Sequence, residues 1–243
     1  MGMEAEKELI SVTEAAKILG VSVDTLRRWD KSGKLVAIRK EGGTHRYYTK
    51  RDLELAASDL LRLANDWAFS AGELSTELYC SNSAVFQERL ARFQDVLQAS
   101  GKAENYFSLI VAVAGEIGNN SFDHNLGNWP DVPGIFFGHD VGKGLVVMAD
   151  RGLGILHTLR PVRPSLTTHQ EALLVAFTEV ISGRAPEARG NGLKFVRKVV
   201  AENPIDLFFQ SGDAELRMQG GKEDLRITRS PVMLRGCLAQ IAF

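Results

Sequence analysis

Residues 116–124 read Glu116-Ile117-Gly118-Asn119-Asn120-Ser121-Phe122-Asp123-His124, a segment that places a carboxylate and an amide on one helical face. They close a mostly apolar run that starts at Asn105 and is long enough for a buried helix. Glu116, Asn120 and His124 recur every four residues, which stacks them on one helical face. Asp123 lies one turn on from Asn120, beside them. Polar groups in so apolar a helix are costly to bury without partners. A Mg2+ ion with its waters and a nucleotide would be such partners, because Mg2+ takes oxygen ligands and keeps several waters. Glu116 could orient or deprotonate a nucleophile near a terminal phosphate. A helix end with solvated polar residues is the alternative that this segment alone leaves open.

Gly144-Leu145-Val146-Val147-Met148-Ala149 is an apolar, β-branched run that reads as a buried strand. Asp150 follows at its end, placed to accept from an exocyclic amine, and Gly152 and Gly154 permit close backbone approach to a ligand. Further on, Arg189-Gly190-Asn191-Gly192 precedes an amphipathic helix that begins at Leu193. Backbone N–H groups at such a helix start can hold phosphates. A strand-to-turn junction or a glycine turn is commonplace alone. Together, and in this order, the three segments supply different parts of what bound ATP needs.

In order and spacing, residues 105–243 resemble the ATP-binding domain shared by gyrase, Hsp90, sensor histidine kinases and MutL, the GHKL or Bergerat fold. Glu116-x-x-x-Asn120 matches the N box, Asp150-x-Gly152-x-Gly154 the G1 box and Gly190-x-Gly192 the G2 box. The resemblance implies Asn120 as the Mg2+ ligand and Asp150 as the acid that reads adenine. It implies Gly152, Gly154, Gly190 and Gly192 as lid and phosphate contacts. Glu116 is then the base in members that hydrolyse ATP, and Asp123 and His124 join the nucleotide-binding set. Arg235–Phe243 resembles the closing strand, with Cys237 where the family usually has Thr. His157–Ala188 would be the ATP lid, with a helix over His169–Ile181 and with Arg184 and Arg189 near phosphate. No His-Glu-x-x-x-Pro phosphoacceptor helix is present, which argues against an ordinary sensor histidine kinase. Glu116-x-x-x-Asn120-x-x-x-His124 also resembles the anti-sigma-factor serine kinases of this superfamily, which phosphorylate a small partner.

The amino-terminal segment has another character. A short helix after Ser11 or Thr13 stops at Gly20, and Ser22 can cap a second helix over Val23–Ser32. Two short helices joined by a glycine turn make a helix-turn-helix. The second exposes Thr25, Arg27, Arg28 and Lys31 and turns Leu26 and Trp29 inward. Residues 24–51 hold nine Lys/Arg and three Asp/Glu, a net +6 in a chain of net −1. Such asymmetry is an electrostatic footprint for phosphates. Val36–Arg39 and His45–Tyr48 flank a glycine turn, a hairpin that can serve as a wing. The segment resembles the MerR/excisionase winged helix-turn-helix in Ser22–Trp29, Gly33-Lys34-Leu35 and Gly43-Thr44-His45-Arg46-Tyr47. That resemblance implies Thr25, Arg27 and Arg28 at the major groove of double-stranded DNA, and Arg46 and Tyr47 on the phosphate backbone.

Between these parts, Leu53, Ala56, Ala57, Leu60, Leu61 and Ala64 make one helical stripe, and Phe86, Leu90, Phe93 and Leu97 another. Such stripes serve core packing or a dimer seam. A homodimer would present two winged modules to half-sites a helical turn apart.

The expected organisation is α+β in two domains: a winged helix-turn-helix over 8–56, a helical linker or dimerisation region over 57–103, and a GHKL α/β sandwich, a mixed sheet covered by helices, over 104–243. No run nears the ~20 apolar residues of a membrane span, and the charged start shows no signal peptide. A cytoplasmic protein without a membrane partner is expected. Cys80 and Cys237 make neither a disulfide framework nor a zinc site. Two functions fit. One is a DNA-binding transcriptional regulator that senses ATP or ADP with Mg2+. The other is an ATPase or an anti-sigma-type serine kinase acting on a small protein partner, tethered to DNA by its winged domain.

Overall fold

The structure, a computed structural model, describes residues 9–19, 22–31, 35–39, 43–49, 53, 60–69, 74–179 and 191–243. The chain divides into two compact units, residues 1–59 and 60–243.

In the first unit, strand β1 (Leu9–Ser11) leads into helix α1 (Val12–Leu19), followed by helix α2 (Val23–Lys31) and strand β2 (Tyr47–Thr49). Ser22 caps α2, its Oγ accepting from the Thr25 amide at 3.0 Å. Ala15, Leu26, Leu35, Ala37, Tyr48 and Leu53 form the core, with Trp29 half-buried against it. Among the described residues the expected hairpin shows one bridge, in which Ile38 and Tyr47 exchange both backbone hydrogen bonds at 2.8 and 2.9 Å. The main partner of β2 is β1, with Ile10 opposite Tyr48. A three-residue strand is too short to show alternation, so β1 left no mark in the sequence pattern. Gly20, Gly33 and Gly42, the turn glycines of this reading, lie outside the described residues.

The second unit is an α+β sandwich. Its elements are α3 (Leu60–Phe69), β3 (Tyr79–Cys80), α4 (Ser83–Ala99), α5 (Phe107–Asn125), β4 (Ile135–Asp140), β5 (Leu145–Asp150), α6 (Ile155–Leu159), α7 (His169–Thr178), α8 (Gly192–Glu202), β6 (Asp206–Met218) and β7 (Arg226–Ala242). The sheet runs β3-β4-β5-β7-β6. Every described pairing is antiparallel, which corrects the mixed sheet expected. A short hairpin joins β4 to β5 and a longer one joins β6 to β7, and hairpins give antiparallel neighbours where parallel ones need long crossovers.

Helices α4, α5, α7 and α8 cover one face. There Val146 and Met148 of β5 and Ala239 and Ile241 of β7 meet Phe86, Phe93, Ile117, Phe177 and Val200. The alternate residues Val147, Ala149 and Leu238 are also buried, and they face the other way, where α3 packs on β4, β5 and β7. Burial on both faces explains the unbroken apolar run of β5.

The proposed linker therefore does not stand apart. Helices α3 and α4 belong to the larger unit. Phe86, Leu90, Phe93 and Leu97, weighed above as a dimer seam, are all buried in its own core. Helix α7 ends at Thr178, where Glu179 turns extended, short of the Ile181 expected. Among the described residues no helix is long and apolar enough to cross a membrane.

Candidate functional site

Helix α5 organises the site. Its apolar positions Ile110, Val113, Ala114 and Ile117 are buried, so its remaining face carries Glu116 and Asn120, both half-buried. Gly192, the first residue of α8, lies directly against them. A β-carbon on Gly192 would stand 2.5 Å from Glu116 Oε2 and 3.2 Å from Asn120 Nδ2. Asn191, which precedes it, makes no side-chain cap. Among the described residues the first-turn amides of α8 therefore have no N-cap side-chain acceptor, and they form an electropositive end beside the two polar side chains.

Asp150 is only 1% exposed at the end of β5. Ser121, the next residue on α5 after Asn120, donates to its Oδ2 at 2.7 Å, and the Gly152 amide donates to Oδ1 at 2.8 Å. The Cys237 amide is a third donor. Burial pushes the Asp150 carboxyl above its ordinary value, and these three hydrogen bonds oppose that rise. Gly236 closes the far side with φ +78°, where a β-carbon would lie 2.5 Å from Asp150 Oδ1. Donors from the described residues thus engage three of the roughly four lone-pair positions of a carboxylate, which leaves about one for an outside donor.

The loop after Asp150 is pinned on both sides. Asn125, buried at the end of α5, accepts from the Leu153 amide at 2.8 Å and donates to Ser121 O at 2.7 Å. Its side chain fills the place a β-carbon on Gly152 would take. Gly154 has φ +76° and precedes α6, where Ser211 Oγ accepts from the Ile155 amide at 3.0 Å and donates to Gly236 O at 3.0 Å. Cys237 Sγ donates to Ser211 Oγ at 3.7 Å, and burial together with the Asp150 charge raises its thiol well above the ordinary range.

Asp123 is exposed and His124 half-buried on the last turn of α5. In the expected lid, Thr168 and Glu171 form a reciprocal capping box at the start of α7. His169 Nδ1 meets Asp213 Oδ1 at 2.7 Å, and Arg229 Nε donates to Asp213 Oδ2 at 2.9 Å. The start of α7 is therefore tied to the sheet. Gly190, Arg184 and Arg189 lie outside the described residues.

Sequence reasoning assigned no role to Ser121, Asn125, Arg151, Ser211 or Gly236. Ser121 and Asn125 carried a readable signal, since they are four apart on the same helix as the N box. Ser211 and Gly236 come from distant segments, and only folding brings them to Asp150.

In the first unit, Thr25 is half-buried, and its Oγ1 lies 2.9 Å from Ser22 Oγ and accepts from Arg28 Nη2 at 3.3 Å. Arg27 pairs with Asp24 at 2.9 Å on the exposed face. Asp30, at the end of α2, binds the segments on either side of the Ile38–Tyr47 bridge. It accepts from the Ala37 amide at 3.0 Å and from Arg46 Nε at 2.7 Å, and it also takes Arg39. The Ala37 amide and then the two arginines hold its carboxyl below the usual range against the cost of burial. Arg46, read above as a phosphate contact, thus spends its Nε on Asp30. Tyr47 is half-buried and Tyr48 fully buried. An open groove of 710 Å³ is bounded by Arg27, Arg28, Lys31, Arg39 and Arg46 with Asp24, Asp30 and Val36. Five cations against two acids make it electropositive.

Residues 10–58 match the MerR HTH family regulatory proteins. The type II methyltransferase M.Eco47II of Escherichia coli is 52% identical over 48 residues, which are 20% of this chain and 12% of the methyltransferase. Among solved structures, the 43K ATPase domain of Thermus thermophilus gyrase B in complex with an aminocoumarin aligns at 18% identity with a TM-score of 0.33, over 54% of this chain and 32% of that one.

Proposed function

We propose that this chain is a DNA-binding transcriptional regulator whose larger unit binds Mg2+-ATP and couples nucleotide state to DNA binding. The amino-terminal segment is a MerR-type helix-turn-helix. Its electropositive groove supports double-stranded DNA as the partner. One observation carries the nucleotide half: segments far apart in the chain converge on α5. Gly192 lies against Glu116 and Asn120, while Ser121 and Gly236 both close on Asp150.

The bare cradle at Gly192 and the uncapped start of α8 suit a phosphate chain. Asn120 would hold Mg2+ together with phosphate oxygens and water, and that ion would offset phosphate charge. Asp150, with about one lone pair left, would take a hydrogen bond from the base amine. Gly152 and Gly154 would bring backbone close to the ligand. Gly190 would join Gly192 at the phosphates, and Asp123 and His124 would flank them. On DNA, Thr25 and Arg28 would face the major groove with Arg27 at its rim, and Arg46 and Tyr47 would meet the backbone. A homodimer on paired half-sites would need a surface other than the buried stripe of α4.

Glu116 beside the head of α8 favours one second reading, an ATPase or a serine kinase acting on a small protein partner. Calorimetry with Mg2+-ATP on the wild type, Asn120→Ala and Asp150→Asn, with a parallel phosphate-release assay, separates the two. Binding with little turnover, and a DNA affinity that changes with ATP, supports the sensor. Turnover lost in Glu116→Gln supports the enzyme. Absence of binding sinks both.

A further inference from the structure

We infer that Arg151 is a positioning residue that fastens helix α3 to the nucleotide loop, so that nucleotide binding is felt at the helix following the DNA-binding segment. This rests on the nucleotide reading above and names the route by which that site is read out.

Arg151 stands between Asp150 and Gly152 and is only 6% exposed. Its Nη1 donates to the carbonyls of Trp67 at 2.7 Å and Ala68 at 2.9 Å, in the last turn of α3. Carbonyls in the last turn of a helix suit such a donor, and the negative end of the helix dipole favours a cation there. Nε and Nη2 grip the two oxygens of Asp131 at 3.2 and 2.6 Å. Arg235 adds a bond to Asp131 Oδ2 at 3.0 Å. Four of the five N–H donors of Arg151 are therefore used, and a bidentate guanidinium–carboxylate pair constrains direction as well as distance.

Asp150 and Arg151 are consecutive, and their side chains leave the end of β5 on opposite faces of the sheet. Asp150 meets Ser121 on the α5 side, whereas Arg151 meets α3. A backbone shift that re-aims Asp150 at a ligand must therefore displace the guanidinium. The α3 carbonyls must follow or lose their donor, and an unpaired buried charge is strongly unfavourable. Room for the shift exists beside the junction. A cavity of 450 Å³ is bounded there by Ala68, Phe69, Arg151, Leu153, Gly154 and Arg235. In the chain, α3 is the first element after residue 59, where the DNA-binding unit ends.

The test is amide hydrogen exchange of the full chain with and without Mg2+-ATP, each variant at its own saturating concentration by calorimetry. In the wild type, ATP is expected to change exchange at residues 64–69 about tenfold or more. Arg151→Met is expected to hold that response under about twofold while nucleotide is bound, a readout that a merely structural clamp would not move. Asp131→Ala keeps the guanidinium but loosens its aim, and it is expected to cut the response at least about threefold; it decides the matter if Arg151→Met does not fold. Arg235→Ala is expected to keep the response. Wild-type binding without any change at 64–69, or a full response in Arg151→Met or Asp131→Ala, overturns the inference and leaves the nucleotide reading standing. Absence of wild-type binding, seen first by calorimetry, removes both.

Discussion

Gly192 and Glu116 come from segments more than seventy residues apart, yet a β-carbon on Gly192 would lie 2.5 Å from Glu116 Oε2. The backbone at the head of α8 is thus as close to the acid as a glycine permits. Only the far end of a flexible side chain stands in the way, so a larger residue there would disturb the site more than the fold.

Gly192→Ala is therefore expected to separate stability from binding. Alanine at a helix start raises stability by about 0.4–1 kcal/mol, while displacement of Glu116 and Asn120 lowers Mg2+-ATP affinity about tenfold or more. Thermal melts and calorimetry on one preparation check this. A lowered melting temperature with unchanged affinity would contradict it.

Asn120→Ala is expected to abolish Mg2+-ATP binding while leaving the melting temperature of the apo protein within a few degrees, since Asn120 is half-buried and outside the apolar core. Calorimetry decides. Normal binding would show the site assignment to be wrong.

Gly236→Ala acts through Asp150. With φ +78° an alanine is strained, and its β-carbon would press on the Asp150 carboxylate. A loss of about 1–3 kcal/mol in denaturant unfolding is expected, together with loss of nucleotide binding.

Asp30 gives the DNA-binding segment an acid limit. Its folded carboxyl lies below the ordinary value, so its contribution is present above the unfolded pKa, about 3.9, and is lost as pH falls through the lower folded value. Trp29 fluorescence during acid titration should report loosening in that window. Asp30→Asn should weaken the unit by roughly 1–3 kcal/mol at neutral pH and flatten the acid dependence. An unchanged acid profile would refute the clamp.

Arg28→Ala is expected to weaken operator binding. A phosphate contact would reduce the salt slope by about one for all sequences, and a base contact would cost about 1–3 kcal/mol at one position only. Fluorescence anisotropy at several salt concentrations distinguishes these. Unaltered affinity at all of them would remove Arg28 from the interface.

Much of this was legible in the chain because it rests on local rules. The four-residue spacing of Glu116 and Asn120 specifies a shared helical face, and the apolar run to Ala149 specifies a buried strand with Asp150 at its end. Ser22 before Val23 specifies a helix start. The stripe Phe86–Leu97 was equally visible, but its destination was not, because an apolar face looks the same whether it meets a partner or its own sheet. The expected mixed sheet failed for a like reason: strand residues do not state the direction of their neighbours.

Periodicity, capping and charge act between near neighbours, so the helix-turn-helix segment with its local +6 charge, the polar face of α5 and the glycines placed for close approach could all be read from the chain alone. The sealing of Asp150 by Ser121, Gly236 and Cys237, the sharing of Arg46 with Asp30, and the grip of Arg151 on the end of α3 emerge only from the fold. Each is a contact between distant segments or across the sheet, whose geometry exists only once the core has packed and the buried polar groups have been made to find partners.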